Sequence, residues 1–160
     1  MKKLLVLTAL ILFAGIVFSQ TKKIKALQKI DSEIWSTGNV SLYDEILSPE
    51  FVAHNVDIGE DIIGIEAQKE AITSLLTAFP DIKPTIDETI IKGDKYVEKW
   101  TVTGTHTGPL TELPPTGKKV KFSGVTIRHV VDGKISEEWV FYNQAALMTQ
   151  LGFTITPPEE

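Results

Sequence analysis

Alternation of side chains with a period of two, in three stretches between Lys95 and Asn143, restricts the possible folds of this chain more than any other feature. Side chains two positions apart in a strand share one face of a sheet. The pattern therefore predicts long strands, at 95–107, 119–131 and 134–143. Asp132-Gly133, between the last two, is typical of a tight hairpin. A short helix over 144–151 would follow.

The preceding part of the chain is dominated by helical spacing. Apolar residues recur at intervals of three or four along a first helix, at Ile24, Leu27, Ile30 and Ile34. A second short helix would end at Pro49, and a third would span 65–79, with a brief strand at 51–54 between them. Helices segregated to one side of an antiparallel sheet make an α+β fold. We expect a curved antiparallel sheet that forms a cone-shaped pocket with the N-terminal helices.

Residues 1–19 are predicted to be a secretory signal. A basic start, Met1-Lys2-Lys3, precedes an almost entirely apolar run, and the residues before Gln20 suit cleavage. An uncleaved anchor is the alternative, but the apolar run is shorter than the roughly 20 residues that span a bilayer. We therefore expect a secreted or periplasmic protein with no membrane attachment after cleavage. The folded domain would cover 20–155, and 156–160 would be a frayed tail.

Charge and composition exclude further classes of protein. The formal net charge is −5, and cleavage of the signal would remove Lys2 and Lys3 and make it more negative. An acidic domain without a basic run is a poor binder of nucleic acid. The chain has no Cys, so disulfides are excluded, although an exported compartment would permit them. The length suits one domain with a single core.

The last predicted strand carries a carboxylate, an indole and an amide at even spacing. Glu137, Trp139 and Asn143 would share the inward face. Because an unpaired polar group in a core costs free energy, this set indicates a lined cavity. A buried Glu137 needs a partner, and Arg128 on the adjacent strand is the candidate for an ion pair. Which face of the 119–131 strand points inward stays open.

Short motifs follow one another in a specific order. They are Phe79-Pro80-Asp81, Trp100, the run 103–108, Pro114-Pro115-Thr116-Gly117, Asp132-Gly133-Lys134-Ile135, Glu138-Trp139 and Gln150-Leu151-Gly152. Together they resemble the SnoaL-like polyketide cyclase family, also called the ester cyclase family, over about 24–153. The resemblance implies the nuclear-transport-factor-like cone fold, a small-molecule pocket, and chemistry without metal or cofactor. It also implies an Asp as general acid/base where Asn143 stands here, and an amide transfers no proton near neutral pH.

Two histidines, His54 and His106, are candidate catalytic bases, because histidine titrates nearest neutral pH. His54 ends the brief strand, where a hydrogen-bonded structural histidine is the alternative. His106 shares a predicted face with Trp100, unless a bulge near Gly104 turns it outward. Both histidines with Glu98 could bind a metal, but their wide separation in sequence gives little support, and no metal site is predicted.

The remaining candidates would hold a ligand. Asn143 and Trp139 would donate hydrogen bonds to a developing oxyanion. Trp100 and Trp139 would form the aromatic walls that a flat ligand needs, and Arg128 and Glu137 would complete the lining. The predicted function is binding of a small, partly apolar carbonyl compound, with cyclase- or isomerase-type proton transfer.

Two alternatives stay open. A non-catalytic binding module could use the same pocket, because Asn143 lacks an acid/base group and an exported protein would not meet polyketide intermediates made in the cytoplasm. A homodimer could form through the outer sheet face, where Thr101, Thr103 and Thr105 would pack.

Overall fold

The computed structural model describes residues 2–56, 59–110 and 113–154, with side chains from Gln20 onward. The predicted tail at 156–160 lies outside these residues. Helix α1 (Lys2–Thr37) runs without interruption from the basic start through the first predicted amphipathic helix. No helix in the described ranges combines the length and the apolar composition needed to cross a bilayer. Cleavage before Gln20 stays a prediction.

The chain enters the sheet sooner than predicted. A 3-10 turn at Val40–Leu42 and helix α2 (Tyr43–Ile46) lead directly into strand β1 (Leu47–Asn55). Pro49 lies where the pairing of β1 with its neighbour is interrupted, as suits a residue without a backbone N–H. Strand β2 (Glu60–Ile63) lies between the predicted strand at 51–54 and the predicted helix at 65–79, where no element is predicted.

Helix α3 (Ile65–Ala78) is followed by strand β3 (Lys83–Lys92), which the set of predicted elements lacks. The next elements match the predicted order. They are strands β4 (Lys95–Thr105), β5 (Lys119–Val131) and β6 (Lys134–Tyr142), and helix α4 (Gln144–Leu151). Gly152 ends α4 in the left-handed conformation, with φ 98°.

The strands form one curved six-stranded sheet in the order β2-β1-β6-β5-β4-β3. Neighbouring strands are antiparallel except β1 and β6, which are parallel. A parallel pair needs a long connection, and the chain between β1 and β6 contains α3 and the rest of the sheet. The α+β fold with helices on one side of a curved sheet is confirmed.

The predicted Asp132-Gly133 turn joins β5 and β6, with Val131 opposite Lys134. Asp132 has φ 51° and Gly133 has φ 81°. Positive φ at both positions is what a two-residue hairpin loop requires, because its twist matches that of the flanking strands. The sequence signal for this hairpin is therefore confirmed.

A β-bulge follows this turn in β6. Val130 lies opposite Ile135, whereas His129 lies opposite Glu137, so Ser136 is an extra residue without an opposite partner. The Ser136 hydroxyl donates to the carbonyl oxygen of His129 at 3.2 Å. Because side chains alternate, one extra residue moves every later side chain of β6 to the other face of the sheet.

Two apolar clusters lie between the sheet and the helices. The first core consists of Ile24, Leu27, Ile34, Tyr43, Ile46, Leu47, Phe51, Ala53, Tyr96, Val130 and Ile135. The second core consists of Ala78, Phe79, Val120, Leu147 and Leu151. The sheet is therefore covered by apolar packing at two separate places, and the space between the two cores holds the residues described next.

Candidate functional site

The inner face of the sheet, which the helices cover, changes from apolar to polar and back along β4 and β5. On β5 this face begins at Val130 in the first core and ends at Val120 in the second. Between these ends, β4 contributes Glu98 and Trp100 and β5 contributes Thr126 and Arg128, with Glu98 directly opposite Thr126. The predicted inner face of β4 is confirmed by burial of these positions, with Glu98 only 4% exposed.

Arg128 is the centre of a buried charge cluster that joins four elements. Its Nε donates to Glu138 Oε2 on β6 at 2.8 Å, and its Nη1 donates to Glu98 Oε2 on β4 at 2.6 Å. Asp31 of α1 accepts from the same Nη1 at 3.3 Å. None of the four side chains is more than 12% exposed. One guanidinium thus faces three carboxyl groups in a place largely removed from water.

Neighbouring polar groups extend the charge cluster. Gln28 Nε2 donates to Glu98 Oε1 at 2.7 Å, and the Arg128 guanidinium lies 5.7 Å from the ring centroid of Tyr96. Burial raises the pKa of the hydroxyls of Tyr96 and Tyr43, so both phenols stay neutral. Burial alone would lower the pKa of Arg128, but the surrounding carboxyl groups raise it overall, so the guanidinium stays charged.

An aromatic wall adjoins the charge cluster on the side of the second core. Trp100 donates its indole N–H to Thr126 Oγ1 at 2.9 Å, and its ring lies edge to face with Phe122, 5.9 Å between centroids. The Phe122 ring lies 5.8 Å from that of Tyr142. A Cβ on Gly124 would lie 2.3 Å from the indole. Glycine at this position therefore lets Trp100 lie against the sheet.

Two amide oxygens facing this interior have no hydrogen-bond partner among the described residues. They are Asn55 Oδ1, at the end of β1, and Gln68 Oε1, on α3, and both are buried. The Gln68 side chain is hydrogen-bonded to the Tyr43 hydroxyl. Buried polar groups are normally paired, so these two oxygens are exceptions among the described residues.

The outer face of the sheet carries a second, more exposed group of polar residues around His54. Its Nδ1 lies 2.9 Å from Asp61 Oδ1, and its Nε2 lies 3.0 Å from Glu137 Oε1. The His54 ring stacks on Trp139 with centroids 5.3 Å apart. Hydrogen bonds to Glu137 and then to Asp61 raise the pKa of His54, because both carboxylates favour the imidazolium.

Three predicted site residues, His54, Glu137 and Trp139, thus lie outside the interior. The predictions that Glu137 and Trp139 face inward, and that Glu137 pairs with Arg128, are wrong. The physical reason is the bulge at Ser136, which places Glu138 on the inner face opposite Arg128. Trp139 consequently packs on His54 rather than forming a wall of the pocket.

Asn143 caps helix α4. Its Oδ1 accepts from the backbone N–H of Ala146 at 2.8 Å, which satisfies one of the free donors at the start of the helix. The residue is exposed and borders an open cleft of about 620 Å³ that Gly124, Phe141 and Gln144 also line. The structure therefore places Asn143 outside the charge cluster and gives its amide oxygen a structural bond.

His106 faces inward as predicted, but in the second core. It is 0% exposed, and its ring lies 5.1 Å from that of Phe79. Its Nδ1 accepts from the backbone N–H of Thr116 at 3.2 Å, so the neutral ring carries its proton on Nε2, which has no partner among the described residues. Eight positions along the strand, about 26 Å, separate His106 from Glu98.

Of the predicted site residues, Trp100 and Arg128 both lie on the inner face, on β4 and β5. The charge cluster around Arg128 also contains Asp31, Glu98 and Glu138, which the predicted set of site residues lacks. Glu98 lies two residues before Trp100 and therefore shares its strand face, and Asp31 interrupts the apolar stripe of α1. Both positions could therefore have been recognised from the sequence. The inward position of Glu138 depends on the bulge, and no sequence pattern indicates it. Among the described residues no His, Asp and Glu side chains form a group of three that could hold a metal ion.

Comparison with known proteins relates this geometry to other chains. A search among curated proteins finds no match. A protein of Jannaschia sp. CCS1, named as a SnoaL-like polyketide cyclase, superposes with a TM-score of 0.75 and is 25% identical, covering 86% of this chain and 94% of its own. For TsrD of Streptomyces laurentii the TM-score is 0.73, the identity 25%, and the coverage 82% and 96%.

AclR of Streptomyces galilaeus, named as a hydroxylase, is about as similar to this chain as the two preceding proteins are. Its TM-score is 0.72 at 26% identity, and the match covers 88% of this chain and 87% of AclR. The family model for SnoaL-like polyketide cyclases matches residues 25–151, from the first core-forming turn of α1 to the end of α4. The chain therefore belongs to the SnoaL-like polyketide cyclase family.

Proposed function

We propose that this protein binds a small, partly apolar carbonyl compound between the two cores and moves a proton next to the carbonyl group. The observation that carries the proposal is that a buried charge cluster at Arg128 and an aromatic wall at Trp100 follow one another on the inner face of β4 and β5, where Thr126, opposite Glu98, accepts from the Trp100 indole. A largely apolar lining with a few convergent polar groups is the usual composition of a small-molecule site. Such sites also collect charged groups that are removed from water.

Proton transfer beside a carbonyl needs a base and a group that stabilises the developing oxyanion. Glu98 uses both carboxyl oxygens, one on Gln28 and one on Arg128, whereas Glu138 bonds to Arg128 through Oε2. We therefore assign the base to Glu138. Arg128 would supply positive charge to the enolate oxygen. In this proposal a carboxylate on the inner face of β6 does the work that an Asp at position 143 does in the better-known relatives.

Exchange of the methyl protons of acetophenone in D₂O, followed by proton NMR, tests this assignment. Acetophenone is a partly apolar ketone of the proposed class. We expect the protein to accelerate exchange and Glu138→Gln to reduce the acceleration by about 100-fold or more, because an amide takes no proton. Glu137→Gln is the matched control, since it makes the same change one residue away on the outer face. Equal rates in the two variants would contradict the assignment.

A non-catalytic binding module is the second candidate function. It is supported by the completeness of the bonding in the cluster, in which Arg128 engages three carboxyl groups and Glu98 has both oxygens occupied. The indole N–H signal of Trp100 in a nitrogen-15 correlation spectrum distinguishes the two candidates. A shift of this signal on addition of acetophenone, without faster proton exchange, would favour the binding module.

Export is part of the proposal. Its support is the basic start and the apolar run that precede Gln20 in the sequence. Expression of the full chain in a bacterial host, followed by cell fractionation and N-terminal sequencing, tests it. We expect a mature protein that begins at Gln20 in the periplasm or the medium. A protein that retains Lys2 and Lys3 and stays in the cytoplasm or the membrane fraction would contradict export.

A homodimer through the outer sheet face is the proposed assembly. It is supported by an apolar row of cross-strand neighbours over four strands, Ile90, Val97, Ile127 and Trp139. Ile90 is 57% exposed, whereas Thr101 already bonds to Asp87 and offers little for packing. Sedimentation equilibrium at micromolar concentration should show a dimer that Ile90→Glu converts to a monomer. A monomeric wild-type protein would contradict it.

A further inference from the structure

Thr126 lies where the charge cluster and the aromatic wall adjoin on the inner face of β5. It is directly opposite Glu98 on β4 and directly opposite Val140 on β6. The residue is 5% exposed, and its Oγ1 accepts the indole N–H of Trp100 at 2.9 Å. Trp100 therefore fixes the position of a buried hydroxyl group.

The proton of this hydroxyl has no acceptor in the part of the chain that the structure describes. The bond from the Trp100 indole is the only hydrogen bond of the Thr126 side chain to a described residue. A threonine hydroxyl is a donor as well as an acceptor, so an oxygen that accepts from an indole still has its own proton to donate. Thr126 thus holds one buried donor that no described group uses.

The apolar packing of the two cores leaves the inner face uncovered beside Thr126. Among the described residues that form or flank the two cores, neither Val140 nor Trp100 is found. Both are half-buried, whereas the core residues Phe51 and Phe79 are at most 2% exposed. A ligand therefore reaches this place without displacing a core side chain.

We propose that Thr126 donates a hydrogen bond to the carbonyl oxygen of the ligand and that Trp100 orients the hydroxyl for this bond. Arg128, two residues along the same face of β5, supplies the positive charge beside it. The inference rests on the proposed function and assigns the side chain that binds the carbonyl group. Two donors at one oxygen are a usual arrangement where negative charge develops during a reaction.

The position of Glu138 agrees with this assignment. It lies opposite Arg128, so it is the diagonal neighbour of Thr126 across β5 and β6. Diagonal neighbours are about 7–8 Å apart. A carbonyl oxygen about 2.8 Å from the hydroxyl has its α-carbon about 2.4 Å further on, and a base acts from about 3 Å. One carbonyl group therefore spans from Thr126 to Glu138.

The infrared C=O band of acetophenone labelled with carbon-13 at the carbonyl tests the hydrogen bond directly. Donation to the oxygen weakens the C=O bond, so the band of bound acetophenone should lie at lower frequency than in an apolar solvent. Thr126→Val replaces the hydroxyl with a methyl group and should reduce this shift, whereas Thr126→Ser should keep it. Thr103→Val is the matched control, since it makes the same change at an exposed position on the outer face.

Proton exchange of acetophenone gives a second measurement. A hydrogen bond to the carbonyl oxygen strengthens as negative charge develops, so Thr126→Val should lower kcat about tenfold or more and change KM less. Thr126→Ser should restore kcat. If Thr126→Val does not fold, Trp100→Phe decides, because it removes the indole N–H that orients the hydroxyl and should also reduce the infrared shift.

The outcomes separate this inference from the proposed function. A wild-type infrared band and an unchanged kcat in Thr126→Val, or a wild-type band in Trp100→Phe where that variant decides, would overturn the inference and leave the proposed function standing. A shifted band that depends on Thr126, without any acceleration of exchange, would support the inference and overturn the proton transfer. No band of bound acetophenone with the wild-type protein would overturn both.

Discussion

At the scale of single residues, Asn143 provides the clearest test of a structural role. Its Oδ1 bonds to the N–H of Ala146 at the start of α4. Asn143→Ala should lower the free energy of unfolding by about 1 kcal/mol, whereas Asn143→Asp should keep it, because Asp caps a helix as well as Asn does. Urea denaturation measures both. The capping role would be contradicted if Asn143→Ala kept its stability and acetophenone no longer shifted the Trp100 indole signal.

His54 makes the stability of the protein depend on pH. Hydrogen bonds to Glu137 and Asp61 raise its pKa in the folded state. Its contribution to stability is therefore fully present below the ordinary histidine pKa of about 6.5 and disappears as the pH rises through the raised value. The difference in unfolding free energy between wild type and His54→Gln should be larger near pH 6 than near pH 9. A difference that does not change over this range would show that the ion pairs contribute nothing.

Single residues also explain how far the site could be predicted from the sequence. Alternation along β4 correctly placed Glu98 and Trp100 on the inner face, because that strand is regular opposite β5. The same reasoning failed on β6, where Ser136 adds one residue to the strand. Serine has no special preference for such a position, and the polar Glu137 and Glu138 fit either face. Bulges of this kind arise from tertiary pairing, which local sequence does not encode.

At the scale of secondary-structure elements, the close contact of β4 with β5 depends on a glycine. A Cβ at position 124 would lie 2.3 Å from the Trp100 ring and 2.5 Å from the carbonyl oxygen of Phe141. Gly124→Ala should therefore displace the indole and cost about 1–3 kcal/mol of stability. Thermal or urea unfolding measures the loss. The Trp100 indole signal should shift while that of Trp139 does not, and a wild-type Trp100 signal would contradict the contact.

Elements with strong local signals were predicted, and those that depend on distant pairing were not. Helical spacing indicated α3, and the Asp132-Gly133 hairpin indicated β5 and β6. Strand β2 was missed, because its four residues are short and half acidic and become a strand only by pairing with β1. The parallel contact of β1 with β6 likewise joins segments far apart in the chain, for which no turn gives a signal.

At the scale of the whole molecule, Arg128 connects the helical half of the chain to the sheet. It bonds to Asp31 on α1, to Glu98 on β4 and to Glu138 on β6, between the two apolar cores. The inner face of the sheet is therefore polar between the cores, at the cost of burying four ionisable groups.

Removal of this cation should be among the most damaging single substitutions. Arg128→Met leaves three buried carboxyl groups without their counter-charge and should lower the free energy of unfolding by about 3–5 kcal/mol. The double variant Arg128→Met, Glu138→Gln should recover part of this loss, because one uncompensated carboxyl group is gone. Lys69→Met is the control, since it removes an equal charge from exposed ion pairs and should change stability much less. Urea denaturation measures the free energy of unfolding of each variant. Equal losses for Arg128→Met and Lys69→Met would show that the buried cluster contributes no more to stability than the exposed ion pairs of Lys69.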